Sequence, residues 1–230
     1  MPEYTDIAVN RIRRDYKNVK TLESEGLFWI PDETTLGHGY AIIFGPEGTP
    51  YYGGAFCFEV TFPNNYPFTP PTFTYLTNNG QTRFNPNLYK NGKVCLSLLN
   101  TWPGEPWSGV QTLSSILQSI QTAVLNTEAL RNEPAYDKLS FHTDIPVYDR
   151  LVQHAVVETA IIGYLNHPPS YLQPIYSTFK EYVMKIKPDL LTILNNLGID
   201  YDKQTESNTY FHMSQKYRFK KLAKDLDSIH

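Results

Sequence analysis

The chain has 230 residues, of which 41% are hydrophobic and 19% are charged, a balance typical of a globular protein with a substantial core. Its formal net charge of -3 argues against general nucleic-acid binding, which needs a basic surface. The amphipathic, charged beginning of the sequence does not resemble a signal peptide, and no apolar run reaches the roughly 18 residues that a membrane span needs.

Several kinds of chemistry are excluded by missing motifs. The two cysteines, Cys57 and Cys95, form no CxxC pair for zinc, and the six histidines form no HExxH motif. The sequence also lacks a GxxxxGK[ST] phosphate loop and a GxSxG serine-hydrolase motif. With no dense cysteine framework and no glycosylation sequon, we expect a reducing compartment, the cytosol or the nucleus.

The first predicted element is a helix over residues 5–22. Its apolar positions recur at helical spacing, and they are Val9, Ile12, Tyr16 and Val19. Its other faces are basic, with Arg11, Arg13, Arg14, Lys17 and Lys20. A solvated helix face is the simplest interpretation of these bases, and a binding surface is the alternative.

Residues 27–77 change to a strand pattern. Three β-rich runs, Tyr40–Phe44, Gly54–Phe62 and Pro71–Leu76, are separated by turns rich in Gly and Pro, which predicts an antiparallel meander packed on helices. The segment FPNNYPFTPP has too many prolines for a central strand and is predicted to be a rigid loop.

Residues 78–111 are mostly irregular, and a loop of this length in a compact domain is usually functional. A helix is predicted over residues 112–127, and its buried stripe comprises Leu113, Ile116, Leu117, Ile120 and Val124. Cys95 lies in this irregular stretch, which is rich in Asn, Gly and Pro. From the residues alone, a buried inert cysteine and a reactive one both remain open.

The C-terminal third is predicted to be largely helical. One stripe comprises Tyr148, Leu151, Val152, Ala155, Val156 and Thr159. Two further helical patterns cover residues 171–187 and 189–197, and DYDKQTESNT is predicted to be a polar linker before a basic amphipathic helix. We expect a core domain over residues 1–140, a helical extension over 141–200 packed on that core, and a linker with a helix over 201–230.

Long motifs in the first 140 residues resemble the ubiquitin-conjugating enzymes, or E2s. The stretch GPEGTPYYGGAFCFEVTFPNNYPFTPP is similar to the E2 run from GPxxxxPYxGG into FPxxYPFxPP. The stretch NPNLYKNGKVCLSLL is similar to the active-site motif HPNxYxxGxxCL, and Trp107-Ser108 matches the Trp-Ser that follows it. The resemblance implies the α+β UBC fold: an N-terminal helix, a four-stranded antiparallel meander, an active-site loop and a central helix, followed here by a C-terminal helical extension.

The resemblance implies roles for four residues. Cys95 matches the cysteine that carries ubiquitin or a ubiquitin-like protein as a thioester. Asn87 matches the HPN asparagine, which stabilises the oxyanion of the transfer or orders the loop around the site. Tyr89 would line the lysine channel, with loop packing as the alternative. Glu133 would orient the attacking amine, with a helix cap or a solvated charge as the alternative.

The sequence departs from the E2 pattern at three positions. Asn85 replaces the HPN histidine, which puts the hydrogen bonding of the loop in doubt. Ser97 replaces a common aspartate, and Gly109 replaces the proline of Trp-Ser-Pro in a loop longer than usual. The CLSLLxTW motif, the long loop and the helical tail look most like the bulky E2 subclass that includes the E2 domain of the giant protein apollon/BRUCE.

The resemblance also implies partner surfaces. Arg11 and Arg14 match the helix that meets the activating enzyme, E1, which spends the ATP, so we expect no cofactor in this chain. Two loops match those that grip RING-type E3 ligases, and their residues are Pro67, Phe68, Ser108, Gly109 and Val110. Core packing is the alternative for Phe68. An E2 for another ubiquitin-like modifier and a non-catalytic E2-like scaffold remain alternatives to a ubiquitin E2.

Overall fold

The computed structural model describes residues 4–133, 144–208 and 211–230. The chain begins with helix α1, Asp6–Lys20, as predicted. Thr5 is its N-cap, since the Thr5 hydroxyl accepts a hydrogen bond from the amide of Ala8 over 3.2 Å. The predicted stripe faces inward, with Ile12 and Val19 buried.

A four-stranded antiparallel sheet follows, and its strands pair in chain order. Its strands are β1 Leu27–Pro31, β2 His38–Phe44, β3 Ala55–Thr61 and β4 Thr72–Tyr75. The register places Ile43 opposite both Leu27 and Phe56. The predicted meander is therefore confirmed, and the FPNNYPFTPP segment is a loop between β3 and β4.

The central helix α2, Leu113–Ser119, begins at a capping box in which Thr112 and Ser115 bond to each other's backbone amides. The helix continues in wider, π-helical turns through Ile120–Val124. The five predicted stripe residues are all buried. This helix packs beside α1, so the two helices and the sheet enclose the first part of the core.

The extension is helical, as predicted, up to residue 200. Its elements are α3 Asp144–Ala155, π-helical turns Val156–Gly163, α4 Tyr164–Asn166, a short turn Ser170–Ile175 and α5 Tyr176–Asp200. The prediction of two helices over 171–187 and 189–197 is wrong, because α5 runs through Pro188. The apolar stripe of this helix is buried on both sides of the proline, at Val183 and Leu190.

The extension lies against one face of the sheet. Phe44 of β2 stacks on Tyr182 of α5, with ring centroids 4.7 Å apart, and Tyr40 stacks on Tyr171 at 5.5 Å. A Cβ on Gly54 would come within 2.8 Å of the Val156 side chain. The glycine pair of the PYxGG turn therefore provides the close approach that the extension requires.

The prediction of a polar linker is wrong for residues 205–208. Strand β5, Thr205–Asn208, pairs with β6, Met213–Lys216. These polar residues are ordered because α3 supplies their partner: Arg150 binds the Glu206 carboxylate through two hydrogen bonds of 2.6 and 2.8 Å.

The last helix, α6 Phe219–Asp227, buries Phe219, Leu222 and Leu226 against α5 and the turns after α3. One buried apolar cluster thus includes side chains from all three predicted segments. The predicted boundary at residues 140 and 141 lies outside the described residues, and the division into 1–140, 141–200 and 201–230 stays a prediction.

Candidate active site

Cys95 and Asn87 are joined by two hydrogen bonds. The Cys95 amide donates to the Asn87 carbonyl over 2.8 Å, and the Asn87 side-chain amide donates to the Cys95 carbonyl over 2.8 Å. A single bridge between Leu88 and Val94 closes the intervening loop. The two residues that the sequence singled out are therefore held together by short-range pairing within one loop.

The Cys95 side chain is covered in this conformation, with 1% of its surface exposed. The segment after it makes a short helical turn, Ser97–Leu99, and then folds back. A Cβ on Gly104 would lie 3.1 Å from the Ser97 Cβ, so the long loop lies directly on Ser97. In this conformation Cys95 therefore lacks the exposure that a reactive thiol needs.

Thr101 fixes the backbone on both sides of Cys95. Its hydroxyl donates to the carbonyl of Val94 over 2.7 Å and lies 3.1 Å from the carbonyl of Leu96. The Leu96 amide donates to the same hydroxyl over 3.0 Å. One side chain thus links the residues immediately before and after the cysteine.

Asn85 compensates for the missing histidine of the HPN motif. Its side-chain amide donates to the Tyr51 hydroxyl over 2.8 Å and to the Val124 carbonyl over 2.7 Å, and its side-chain oxygen accepts from the Asn87 amide over 2.8 Å. The Tyr51 hydroxyl in turn donates to the Phe84 carbonyl. The doubt about the hydrogen bonding of this loop is therefore resolved, because the shorter side chain is fully bonded.

In this conformation the Asn87 side chain is hydrogen-bonded within the active-site loop. Its amide nitrogen is committed to the Cys95 carbonyl, and among the described residues its buried side-chain oxygen has no hydrogen-bond partner. This geometry matches the loop-ordering role that the resemblance implied. Stabilising an oxyanion would require the amide to turn away from that carbonyl.

The structure gives a side-chain contact for Tyr89, whereas for Glu133 it gives the position in the chain. The guanidinium carbon of Arg83 lies 3.3 Å from the centre of the Tyr89 ring, so Tyr89 packs in the loop, and its predicted role in a lysine channel stays a prediction. Glu133 follows a short helical turn, Ala129–Asn132, at the last described position before Pro134. Its role toward the amine also stays a prediction.

A family model described as "Ubiquitin-conjugating enzyme" matches residues 11–150. The chain belongs to the ubiquitin-conjugating enzyme family. It is 37% identical over 179 residues to ubiquitin-conjugating enzyme E2 Z of Xenopus tropicalis, covering 76% of this chain and 57% of that protein. It is 39% identical over 152 residues to the E2 Z of Homo sapiens, covering 66% of this chain and 43% of that one. The chain thus spans about half the length of these relatives.

The predicted similarity to the bulky E2 subclass is confirmed. The chain is 39% identical over 167 residues to the human "Dual E2 ubiquitin-conjugating enzyme/E3 ubiquitin-protein ligase BIRC6", covering 68% of this chain and 3% of that protein. The E2 domain of a Toxoplasma gondii ubiquitin conjugating enzyme has the same fold, with a TM-score of 0.53 at 23% identity, covering 66% of this chain and 97% of that one.

Arg11 of this E2 family member is not an exposed cation. The side chain is 8% exposed, and its guanidinium binds the Asp15 carboxylate at 3.1 Å and the carbonyls of Gly109, at 2.7 Å, and Gln111. Arg11 therefore ties α1 to the loop before α2, and its assignment to an exposed E1-binding surface does not fit this burial. Arg14 is exposed, and its E1 contact stays a prediction.

The two loops expected to grip an E3 lie side by side. The indole nitrogen of Trp107 donates to the Pro67 carbonyl over 2.7 Å, which joins the loops. Phe68 is 69% exposed and Val110 is 85% exposed. Phe68 is thus not a core residue, whereas Pro67 is buried, and E3 binding itself stays a prediction.

Cys57 is a free, buried cysteine of the sheet. It is fully buried in β3, and burial raises the pKa of its thiol to about 12. At neutral pH this thiol carries almost no nucleophilic thiolate.

The sequence analysis did not identify three residues that support the site, Tyr51, Arg83 and Thr101. Each acts on the backbone of the active-site loop, at Phe84, Asn85 or Val94. Side-chain bonds to the backbone leave no characteristic residue pairing, although Tyr51 and Thr101 stand within the motifs PYxGG and CLSLLxTW.

Proposed function

We propose that this chain is an E2 that accepts ubiquitin from E1 as a thioester on Cys95 and passes it to a substrate lysine or to an E3. The observation that carries the proposal is the pairing of Cys95 with Asn87 through two hydrogen bonds, in a loop where the Asn85 side chain also binds the Asn87 amide. A non-catalytic scaffold has no need of this cysteine and its supporting amides.

The proposed chemistry is two acyl transfers. The Cys95 thiolate attacks the carbonyl of the ubiquitin–E1 thioester, a new C–S bond forms, and the E1 thiolate leaves. A lysine amine, or an E3 thiolate, then attacks the Cys95 thioester, the C–S bond breaks, and Cys95 leaves as thiolate. In the lysine case the amine loses its proton, for which Glu133 is the proposed acceptor. The E1 spends the ATP, and this chain uses no cofactor.

The covered thiol adds one requirement. Because Cys95 is 1% exposed, we propose that the first attack requires a neighbouring segment to move aside. The exposed long loop carrying Gly104 is the segment with the least burial next to Ser97, and we propose that it moves.

Two surfaces fit the proposed partners. The exposed bases of α1, Arg14 and Lys17 among them, suit an electrostatic contact with E1. Phe68 and Val110 present apolar surface on adjacent loops, beside Ser108 and Gly109, and suit a RING-type E3. Among the described residues, no helix is long and apolar enough to cross a membrane.

The test is a charging reaction with the full chain, ATP, and matched pairs of E1 and modifier. An ATP-dependent adduct that a thiol reductant releases is expected with ubiquitin and its E1. Such an adduct with a different ubiquitin-like modifier alone would redirect the assignment to that modifier. The absence of an adduct with every pair would contradict the catalytic proposal and favour a scaffold.

A further inference from the structure

The side chain of Arg83 holds the two peptide groups that precede Asn87. Its Nε donates to the Asn85 carbonyl over 3.0 Å, and one of its terminal nitrogens donates to the Pro86 carbonyl over 2.6 Å. A guanidinium presents its donors in a rigid fork, so two such bonds fix both carbonyls relative to each other.

The same guanidinium also contacts the aromatic residue on the other side of Asn87. Its central carbon lies 3.3 Å from the centre of the Tyr89 ring. Arg83 thus touches the chain immediately before and shortly after Asn87, and Asn87 in turn is bonded to Cys95.

The backbone of Arg83 is held by the C-terminal extension. The buried hydroxyl of Tyr148, on α3, donates to the Arg83 carbonyl over 2.9 Å. The Arg83 amide lies 3.1 Å from the sulfur of Met213, on β6, and donates to it. Both main-chain polar groups of Arg83 are therefore bonded by residues more than sixty positions further along the chain.

We propose that Arg83 is a positioning residue for lysine transfer, through which the C-terminal extension sets the positions of Asn87 and Tyr89 beside Cys95. The inference rests on the proposed function and names the part of the chain that regulates its second step. Acyl transfer depends on the placement of donors and of the approaching amine, and a misplacement of 1 Å costs about 10²-fold in rate. On this account the extension is a working part of the active site.

A set of variants in the full chain separates positioning from general stability. Arg83→Ala removes the fork, and Tyr148→Phe removes only the hydroxyl that holds the Arg83 carbonyl. The matched control is Tyr176→Phe, which also removes one hydroxyl bond to a carbonyl within the extension, that of Leu165 at 2.8 Å. Each variant is charged with ubiquitin, E1 is then quenched, and discharge to free lysine is followed across lysine concentrations.

Arg83→Ala is expected to lower the maximal discharge rate by about 10- to 100-fold, with the lysine concentration at half-maximal rate and the charging rate nearly unchanged. Tyr148→Phe is expected to lower the discharge rate by a smaller factor, and Tyr176→Phe to leave it unchanged. Unchanged discharge in charged Arg83→Ala, or equal effects of the two tyrosine variants, would overturn the proposal. If Arg83→Ala does not fold, the tyrosine pair decides.

A second readout does not depend on ubiquitin. The side-chain amide resonance of Asn87 in a ¹⁵N spectrum is expected to shift in Tyr148→Phe and to stay in place in Tyr176→Phe. Failure of the wild-type chain to form a thioester would contradict the proposed function, while this resonance would still test the coupling. An Asn87 resonance that does not shift in Tyr148→Phe would overturn the proposed coupling between the extension and Asn87.

Discussion

The Asn87 side-chain amide donates a hydrogen bond of 2.8 Å to the carbonyl of Cys95, the residue proposed to carry the thioester. The Asn87 amide is thus already bonded to the Cys95 backbone before an acyl group is bound to the thiol. Its release toward a developing oxyanion would cost that bond and gain a charge-assisted one, which favours the change during transfer. On this account the loop-ordering role and the proposed oxyanion role of Asn87 correspond to two positions of one amide.

Asn87→Ala is expected to slow discharge to lysine by about 10²–10³-fold, since one donor to the oxyanion is lost. Charging by E1 should remain largely intact. Asn91→Ala is the matched control, because Asn91 is an exposed asparagine in the same loop. Equal losses in charging and discharge would favour a purely structural role for Asn87.

Thr101→Val is expected to expose Cys95 more often, because it removes the hydroxyl bonded at Val94 and Leu96. A loss of about 1 kcal/mol in hydrogen bonding would raise the rate of Cys95 alkylation by iodoacetamide about 5-fold. Peptide mass spectrometry measures that rate for Cys95 separately from Cys57. Thr101→Ser keeps the hydroxyl and should alkylate at the wild-type rate, and a Thr101→Val rate equal to it would contradict the role of Thr101.

Arg11→Ala is expected to destabilise the fold by about 3–5 kcal/mol, since it leaves the fully buried Asp15 carboxylate without its cation. Asp15 also accepts hydrogen bonds from Tyr66 and from the Leu113 amide, which do not supply a charge. Arg14→Ala, at an exposed position, should change stability by less than about 0.5 kcal/mol. Urea unfolding of both variants measures the difference. Similar stabilities would show that the bonds of Arg11 contribute little to the free energy of unfolding.

The lowered pKa of the buried His154 ring predicts a loss of folding stability in mild acid. Burial, aided by the charge of Arg218, lowers the pKa of His154 to about 4, and its Nε2 accepts from the Arg218 amide over 3.2 Å. Near pH 6.5 His154 becomes protonated in the unfolded chain but stays neutral in the folded chain. The free energy of unfolding therefore falls as the pH drops from 6.5 toward 4, by up to about 3 kcal/mol.

The pH series needs a variant to isolate this histidine from the carboxylates that titrate in the same window. His154→Gln keeps a polar side chain at the position but has no titrating ring. Its free energy of unfolding, measured from pH 7 to pH 4, is expected to fall less steeply than that of the wild type. Parallel curves would show that His154 is not a source of acid sensitivity.

Local patterns predicted the parts of this fold that depend on local pairing. The stripe of Ile12 and Val19 predicted α1, because its members lie within a few residues of one another. Asn87 was named beside Cys95 through the resemblance to the E2 motif, and the two residues are bonded in the structure. The 69% exposure of Phe68 agrees with a binding surface and not with core packing, which the sequence left open as the alternative.

Relations between distant residues were not predictable in the same way. Arg11 was placed on a solvent face because two of its partners, the carbonyls of Gly109 and Gln111, lie about a hundred positions away in the sequence. The polar strand containing Glu206 was taken for a linker because its cation, Arg150, belongs to α3. In each case a polar residue is ordered by a partner that no local pattern displays.

The identity of the residue that carries the modifier tests the central claim most directly. Cys95→Ser and Cys57→Ser variants of the full chain are each incubated with E1, ATP and ubiquitin, and the adduct is measured by intact mass with and without a thiol reductant. Cys95→Ser should form an ester that resists the reductant, and Cys57→Ser should keep the reductant-sensitive adduct of the wild type. A reductant-sensitive adduct that persists in Cys95→Ser would contradict the account.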